Sequence, residues 1–203
     1  MRLPLDPTHV KGFLDPAEGG ALYAVALQQA PLGPCVEIGA YCGKSALYLG
    51  SACKAVGGVL FSVDHHRGSE ENQPGWEWHD RDLWDAEAGS LDSLPAFRRT
   101  LHSADLEETV IAVVGRSATV ARSWKTPIAL LFIDGGHTME AASADYQGWS
   151  PRLMAGGVLA IHDVFPDPAD GGRPPFEIYQ RALTSGDFEE TAAVKSLRLL
   201  RRR

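Results

Sequence analysis

The sequence predicts an α/β fold, in which a doubly wound and mostly parallel sheet of seven strands ends in an antiparallel hairpin. Short, almost wholly apolar runs, which are typical of buried parallel strands, alternate with helical patterns along the chain. Three of these runs end on an aspartate, namely Asp64, Asp134 and Asp163. Only Lys195 and Ser196 separate the last two β-prone runs, and so short a separation indicates a hairpin.

Each element has a local reason in the sequence. Apolar residues that recur at helical spacing between glycines or prolines indicate helices, and short apolar runs that enter a turn indicate strands. The predicted helices cover residues 17–29, 43–56, 92–104, 117–124, 138–150 and 175–184. The predicted strands cover residues 35–39, 58–64, 109–115, 128–134, 156–163, 188–194 and 197–202. No repeat or linker interrupts this alternation, so we expect one domain over residues 1–203.

Two long polar segments, residues 65–91 and 164–175, are expected to be irregular. Both leave the carboxyl ends of predicted strands, where open α/β sheets bind ligands. Long loops in a compact domain usually have a function, so we expect these segments to contribute to a binding site. Plain surface loops are the alternative.

The composition is that of a folded globular chain, because 44% of its 203 residues are hydrophobic and 22% are charged. The net charge of −7 argues against nonspecific binding of nucleic acids and of anionic membrane surfaces. No run approaches the ~18 apolar residues of a membrane span, and the N-terminus lacks the pattern of a signal peptide. Cys35, Cys42 and Cys53 have neither metal-site nor disulfide spacing, and we expect small buried thiols in a reducing cytoplasm.

A glycine turn follows the first predicted strand, in the sequence EIGAYCGKS at residues 37–45. Gly39 and Gly43 allow the backbone to turn tightly and to approach a ligand, and the next helix points its unpaired N–H groups into the same crevice. The turn lacks the GxGxxG fingerprint of dinucleotide sites. It also lacks a phosphate loop, because that motif requires glycine where this chain has Ile38.

Two further strand ends carry candidate ligand-binding residues. Asp64 ends the second strand, where a carboxylate can accept hydrogen bonds from both hydroxyls of a ribose. A helix N-cap or a surface acid is the alternative for this residue. Gly115, Arg116 and Ser117 end the third strand, where a base-binding loop would lie, although Ser117 is equally suited to cap the next helix.

The fourth and fifth strands end in a second constellation of polar residues, Asp134 to His137 and His162–Asp163. Adjacent strand ends lie ~5 Å apart, so these side chains can converge. Two carboxylates that close repel each other unless a cation or a proton lies between them, and Mg²⁺, Ca²⁺ or Mn²⁺ would suit oxygen ligands. Alternatively, the two aspartates cap helices or bind backbone amides. A separate alternative for His162 is that the alternation of strand side chains turns it away from the site.

Together these segments resemble the class I S-adenosylmethionine-dependent methyltransferases. The matching segments are EIGAYCGKS, the acid that ends the second strand, LFIDGGHT and GGVLAIHDV, and the resemblance covers about residues 30–165. Within that class, this chain is similar to small bacterial metal-dependent O-methyltransferases, including those that act on sugars. The resemblance implies a Rossmann-like methyltransferase fold, S-adenosylmethionine as the cofactor and Mg²⁺ or Mn²⁺ as a metal.

The resemblance also implies roles for single residues. The turn after Glu37 would hold the methionine end of the cofactor, Asp64 its ribose, and the third strand end its adenine. The implied cofactor-binding set is Glu37, Gly39, Ala40, Tyr41, Gly43, Ser45, Asp64, His65, Arg116, Ser117 and Asp134. The implied metal ligands are Asp134, His162 and Asp163, although the family usually has an acid where this chain has His162. His137 matches a candidate general base, with a bond to a loop carbonyl as the alternative.

The sequence therefore predicts a cytoplasmic S-adenosylmethionine-dependent O-methyltransferase, assisted by Mg²⁺, that methylates a hydroxyl of a small molecule or saccharide. A phenol is the next acceptor class. Trp76, Trp78 and Trp84 are expected to form a lid over the acceptor, with a homodimer contact or local packing as alternatives. The alternative functions are an NAD(P)-dependent oxidoreductase and a non-catalytic binding module on the same fold.

Overall fold

The structure is a computed structural model that describes residues 1–76 and 79–203. Its strands are β1 Cys35–Ile38, β2 Leu60–Asp64, β3 Trp84–Asp85, β4 Ser90–Leu91, β5 Val110–Val114, β6 Ile128–Ile133, β7 Leu153–Ile161, β8 Phe188–Val194 and β9 Leu197–Arg202. Its α-helices are α1 Pro16–Gln29, α2 Lys44–Ala55, α3 Leu94–Ser103, α4 Ser117–Ser123, α5 Met139–Trp149 and α6 Arg173–Thr184. Every predicted helix and strand has a counterpart among these elements.

The main sheet has seven strands in the order β5-β2-β1-β6-β7-β9-β8. The first five strands pair in parallel, whereas β9 pairs antiparallel with both β7 and β8. This architecture confirms the predicted fold class. The chain leaves β1 toward β2 on one side and later returns to β6 on the other, so the strand order reverses between β1 and β6. Such a reversal opens a crevice at the carboxyl ends of the strands.

Helices cover both faces of the sheet and thereby bury its central strands on both faces. Leu130 and Phe132 of β6 face a core that α1, α2 and α3 complete, whereas Leu131 and Ile133 face a second core with α4, α5 and α6. Successive residues of a strand point to opposite faces, so a continuous apolar run serves both cores. The strand tips are thereby fixed from both sides.

Two segments differ from the predicted pattern. Strand β7 begins at Leu153 rather than at residue 156, and a register shift between Ile128 and Leu130 accommodates the longer strand. The segment 65–91, predicted to be irregular, contains the small hairpin β3–β4 and two short 3₁₀ turns. Leu83 and Leu91 bury this hairpin against Cys42. These two leucines are not part of an alternating or continuous apolar pattern, so the sequence does not indicate strands there.

The tryptophans of this segment do not share one environment. Trp84 is partly buried against the cluster of Leu83, Leu91 and Cys42, as local packing would require. Trp76 is 54% exposed, and Trp78 lies outside the described residues. Cys35, Cys42 and Cys53 are free and buried. In the part of the chain that the structure describes, no helix combines the length and apolar character needed to cross a membrane.

Two neighbouring glycines test the packing of α1 on α2. A Cβ on Gly19 would lie 2.4 Å from the ring of Tyr48, which is buried, whereas a Cβ on Gly20 meets nothing within 4 Å. Gly19→Ala should therefore lower the free energy of unfolding by about 1–3 kcal/mol. Gly20→Ala should raise it by about 0.5–1 kcal/mol, because alanine favours helix. Urea denaturation measures both, and equal effects would contradict this account of the interface.

Candidate active site

A cavity of about 530 Å³ opens at the carboxyl ends of the parallel strands. Residues from the ends of β1, β2, β5, β6 and β7 line it, together with the N-terminal segment 11–14 and residues 68–70 and 72. Of the predicted cofactor-binding residues, all but Glu37 and Gly43 line the cavity, and so do His137, His162 and Asp163. The two constellations that the sequence indicated therefore meet in one space.

The turn after β1 depends on a glycine at position 39. Gly39 has φ +88°, and a Cβ there would lie 2.0 Å from the carbonyl oxygen of Asp134. The backbone at the tip of β1 thus comes directly against the tip of β6, which only glycine allows. Gly43 has φ +91° and begins α2, where it packs toward Phe97 and Thr100 and away from the cavity.

Asp64 holds the same turn from the other side. Its Oδ2 atom accepts the N–H groups of Ala40 and Tyr41, each at 2.9 Å, and its Oδ1 atom accepts the N–H of His66 at 2.7 Å. The carboxylate therefore anchors backbone amides and also lines the cavity. A carboxylate oxygen has two acceptor sites, so Oδ1 retains capacity for a ligand hydroxyl, whereas both sites of Oδ2 are already used. His65 lines the cavity beside it.

Glu37 lies beneath the cavity floor. Its side chain is fully buried, and it accepts hydrogen bonds from Ser45 Oγ at 2.8 Å and from Ser62 Oγ. Burial raises the pKa of Glu37 to about 7, although the two serine hydrogen bonds act in the opposite direction. Ser45 lines the cavity and Glu37 does not, so Glu37 is hydrogen-bonded to the lining through Ser45.

The tip of β5 carries a short hydrogen-bonded chain. Trp149 Nε1 donates to Ser117 Oγ at 2.8 Å, and Ser117 in turn bonds Asp145. Burial raises the pKa of Asp145 to about 6, and its hydrogen bond with Ser117 acts against this rise. Ser117 begins α4 next to Arg116, and both line the cavity. No sequence motif indicates Asp145, because it lies within a helix rather than at a strand end.

Asp134, His162 and Asp163 converge at the tips of β6 and β7. Each residue offers one potential metal-ligand atom, and these three atoms lie within 4.8 Å of one another. His162 does not turn away from the site, because its Nδ1 atom lies 2.9 Å from Asp134 Oδ1 and 3.5 Å from Asp163 Oδ2. Asp163 adopts φ +55°, which is unusual for a residue other than glycine. A side chain held this way at a strand tip suits a binding or catalytic role.

Glu18 joins this cluster from α1. Its Oε2 atom lies 3.0 Å from His162 Nε2, while its Oε1 atom accepts the N–H and hydroxyl of Ser196 and the N–H of Leu197. Burial opposes ionisation, but the hydrogen bonds from His162 and Ser196 hold the pKa of Glu18 down at about 2. In the sequence, Glu18 stands three residues after Asp15, a spacing that indicates only a helix capping box, which is also formed.

The electrostatics of the cluster favour a charged histidine. Burial lowers the pKa of His162, but the charge of Asp134 and the hydrogen bonds to Asp134, Asp163 and Glu18 raise it far above its usual range. Burial also raises the pKa of Asp163, but the hydrogen bonds from His137 and His162 bring it well below its usual range. His137 Nε2 lies 3.3 Å from Asp163 Oδ2, at the edge of the cavity. The site therefore pairs each aspartate with a histidine.

The comparisons identify the class of protein to which this site belongs. A family model described as a methyltransferase domain matches residues 36–164, from β1 through the tip of β7. The chain therefore belongs to this methyltransferase family. This confirms its identification as a class I S-adenosylmethionine-dependent methyltransferase and disfavours the oxidoreductase alternative.

Solved structures share the fold at low sequence identity. The O-methyltransferase from Bacillus cereus, in complex with SAH (S-adenosylhomocysteine), is 14% identical, with a TM-score of 0.64 over 94% of this chain and 83% of that chain. The SAH-bound methyltransferase PaMTH1 from Podospora anserina is 12% identical, with a TM-score of 0.66 over 94% and 80%. The O-methyltransferase NovP is 18% identical, with a TM-score of 0.65 over 90% and 79%.

The buried carboxyl of Glu37 predicts a pH dependence of stability. Its pKa is about 7 in the folded protein and ~4.3 in an unfolded chain. The stabilisation that comes from its bound proton is complete below the lower value and is lost as the pH rises through the higher one. Between pH 5 and 8, the free energy of unfolding should fall by up to about 3 kcal/mol more in the wild type than in Glu37→Gln.

Urea denaturation at the two pH values measures this difference. Glu107→Gln, at a partly exposed position on the loop after α3, is the matched control and should behave as the wild type does. A Glu37→Gln variant whose stability declines with pH as steeply as that of the wild type would exclude Glu37 as the source.

Proposed function

We propose that the chain transfers a methyl group from S-adenosylmethionine to a hydroxyl oxygen of a small molecule, with His137 as the general base. The observation that carries this proposal is the pairing of His137 Nε2 with Asp163 Oδ2 at 3.3 Å, at the edge of the cavity. A histidine held by a carboxylate is suited to take a proton from a hydroxyl. The names of the Bacillus cereus neighbour and of NovP, both O-methyltransferases, support oxygen as the accepting atom.

The residues of the cavity fit the cofactor. Gly39 and Ser45 line the cavity where the methionine end would lie, and Asp64 would accept a ribose hydroxyl through Oδ1. Arg116 and Ser117, at the tip of β5, would lie near the adenine. When bound, the cofactor supplies the methyl group that the acceptor oxygen takes up as its proton leaves.

Asp163 and His137 have different roles in the proton transfer. Asp163 orients the imidazole ring of His137 through its contact with Nε2. Asp163 also stabilises the imidazolium that forms when His137 takes the proton. Without such help a hydroxyl loses its proton only near pH ~16, so this pair makes the oxygen reactive at neutral pH. General base catalysis of this kind contributes about 10²–10⁴ in rate.

No step of this mechanism uses the predicted Mg²⁺ or Mn²⁺. Asp134 and Asp163 supply the oxygen atoms that such ions prefer, and both ring nitrogens of His162 face carboxylates. Of these nitrogens, Nε2 faces Glu18, whereas Nδ1 faces Asp134 and Asp163, as in a metal-ligating histidine whose second nitrogen is held by a carboxylate. Asp134, His162 and Asp163 would therefore hold such an ion, which would lower the pKa of the acceptor hydroxyl.

The outer part of the cavity supports a saccharide as the acceptor. Phe13, which is 66% exposed, stacks on Tyr41 with a centroid distance of 6.1 Å, and both rings belong to the lining of the opening. Glu70 and Asn72 place polar atoms in the same lining. Sugars present apolar C–H faces and polar hydroxyl edges, so this combination suits them. A phenol would stack in the same way and is the second acceptor class.

The free cysteines bear on the cellular compartment of the protein. Three buried thiols with no disulfide fit a reducing compartment, and we propose the cytoplasm. The predicted homodimer and the lid or interface role of the tryptophan segment stay predictions.

His137→Gln tests the general base. It should lower kcat by about 10²–10⁴, because the hydroxyl loses its proton acceptor, while the affinity for S-adenosylhomocysteine stays within a few-fold. The assay is S-adenosylhomocysteine release with methyl glycosides and catechol as probe acceptors. His102→Gln, at an exposed site paired with Glu107, is the control. Binding of the cofactor without turnover of any hydroxyl acceptor would instead indicate the non-catalytic module.

Asp64→Asn tests the cofactor site. The variant should bind S-adenosylhomocysteine at least about tenfold more weakly, because an amide removes charge and one acceptor from the turn. Calorimetric titration measures this change, with Asp105→Asn at an exposed position as the control. NADH should not raise the Tm of the wild-type protein, whereas S-adenosylhomocysteine should. A rise in Tm with NADH but not with S-adenosylhomocysteine would favour the oxidoreductase alternative.

A further inference from the structure

One edge of the main sheet is uncharged and apolar. Strand β5, with the sequence VIAVV, lies at that edge, where it pairs with β2 on one side. Two of its large apolar side chains reach solvent, because Ile111 is 44% exposed and Val114 is 57% exposed. Ala112, which lies between them, is exposed as well. An edge strand of this composition readily pairs with a further strand.

The opposite edge of the sheet is protected against such pairing. Strand β8 carries Glu189 and Glu190 at its centre, and its register with β9 shifts after Glu190. Glu189 forms an ion pair with Arg201, and Glu190 Oε2 accepts from the Tyr179 hydroxyl at 2.6 Å. Charged side chains and a bulge keep other strands from pairing with an edge. Strand β5 has no charged side chain, and its ladder with β2 is regular, so its edge lacks both protections.

The ladder between β2 and β5 determines which backbone groups of β5 face outward. The N–H of Gly115, just after β5, donates to the carbonyl of Asp64 in β2 at 3.0 Å. Successive residues of a strand direct their backbone groups to opposite sides, so the odd-numbered residues of β5 bond β2. The N–H and C=O groups of Ala112 and Val114 therefore face the position that a further strand would occupy.

An antiparallel copy of β5 complements this edge when a two-fold axis passes through Ala112. The N–H of Ala112 in each copy then donates to the carbonyl of Ala112 in the other. In the same register Ile111 lies opposite the partner's Val113, and Val114 lies opposite the partner's Val110. Both exposed apolar side chains thereby gain apolar neighbours across the axis.

This register also brings opposite charges together at both ends of the strand. Glu108 precedes β5, Arg116 follows it, and both side chains are exposed. Each lies four positions from Ala112 in the sequence, so Glu108 of one copy comes opposite the partner's Arg116. Because Arg116 also lines the cavity, the contact joins this edge to the candidate active site.

We propose that β5 is the interface of the predicted homodimer, in which the two sheets continue into each other through an antiparallel β5–β5 pair centred on Ala112. The self-complementary apolar register and the ion pairs at its ends favour a second copy of this chain over a strand of another protein. A two-fold contact of this kind closes at two copies. The interface is small, so we expect a dissociation constant of about 1–10 μM.

Sedimentation velocity tests the interface. Between about 1 and 100 μM, the mass of the wild-type protein should rise from that of one chain toward that of two. Ala112→Lys places two lysines opposite each other and should weaken the dimer about tenfold. Ala193→Lys, at an exposed position of β8 on the other edge, is the matched control and should dimerise as the wild type does. A wild-type protein that stays monomeric at about 100 μM, or an Ala112→Lys protein that dimerises equally well, would overturn the inference.

A charge exchange tests the register and covers the case in which Ala112→Lys fails to fold. Glu108→Arg places like charges at both ends of the strand pair and should weaken the dimer about tenfold. Adding Arg116→Glu should restore the affinity, because both charges are then reversed. Glu87→Arg, at an exposed position between β3 and β4, is the control and should have no effect.

A double variant that dimerises as weakly as Glu108→Arg alone would contradict the proposed interface. The mass measurements need neither cofactor nor acceptor, so they decide this inference separately from the proposed function. An enzyme that dimerises through β5 but methylates no hydroxyl acceptor would count against the proposed function and support the interface.

Discussion

The balance of charge around one buried imidazole determines how this site is built. Glu18, Asp134 and Asp163 bring three carboxyl groups to the tips of β6 and β7, and His162 lies among them with a side chain that is only 4% exposed. Carboxylates packed this closely are stable only if a positive charge lies between them. Because the ring bonds both α1 and the tip of β6, it also fixes the wall of the cavity where His137 approaches Asp163.

Close backbone contact gives the cofactor half of the cavity its shape. Gly39 brings the tip of β1 against the carbonyl of Asp134, and Asp64 holds the next two amides with one carboxylate oxygen. These contacts lie where the strand order of the sheet reverses, and the helices on both faces hold the strands in place. A site of this kind is formed before any ligand arrives, which reduces the entropic cost of binding.

The two halves of the cavity differ in construction. Strand ends, which are anchored in two buried cores, form the half to which we assign the cofactor. The N-terminal segment 11–14 and residues 68–70 and 72 form much of the other half, and they bring exposed Phe13 and polar side chains to the opening. Loops on a rigid scaffold are where proteins of one fold vary their ligands. The acceptor preference of this enzyme therefore depends on its loops rather than on its sheet.

The pattern of apolar runs was enough to predict the sheet and its strand-end acids, because a strand buried on both faces needs a continuous apolar run and the acids at 64, 134 and 163 follow such runs directly. The partners of those acids became visible only once the helices and strands were packed together. Glu18 and His162 are 144 residues apart, and the local pattern around Glu18 indicates only a helix cap. The burial of Glu37 and the hairpin β3–β4 were likewise decided by packing. Local periodicity reports which residues are buried, whereas contacts between distant side chains depend on how the elements pack in three dimensions.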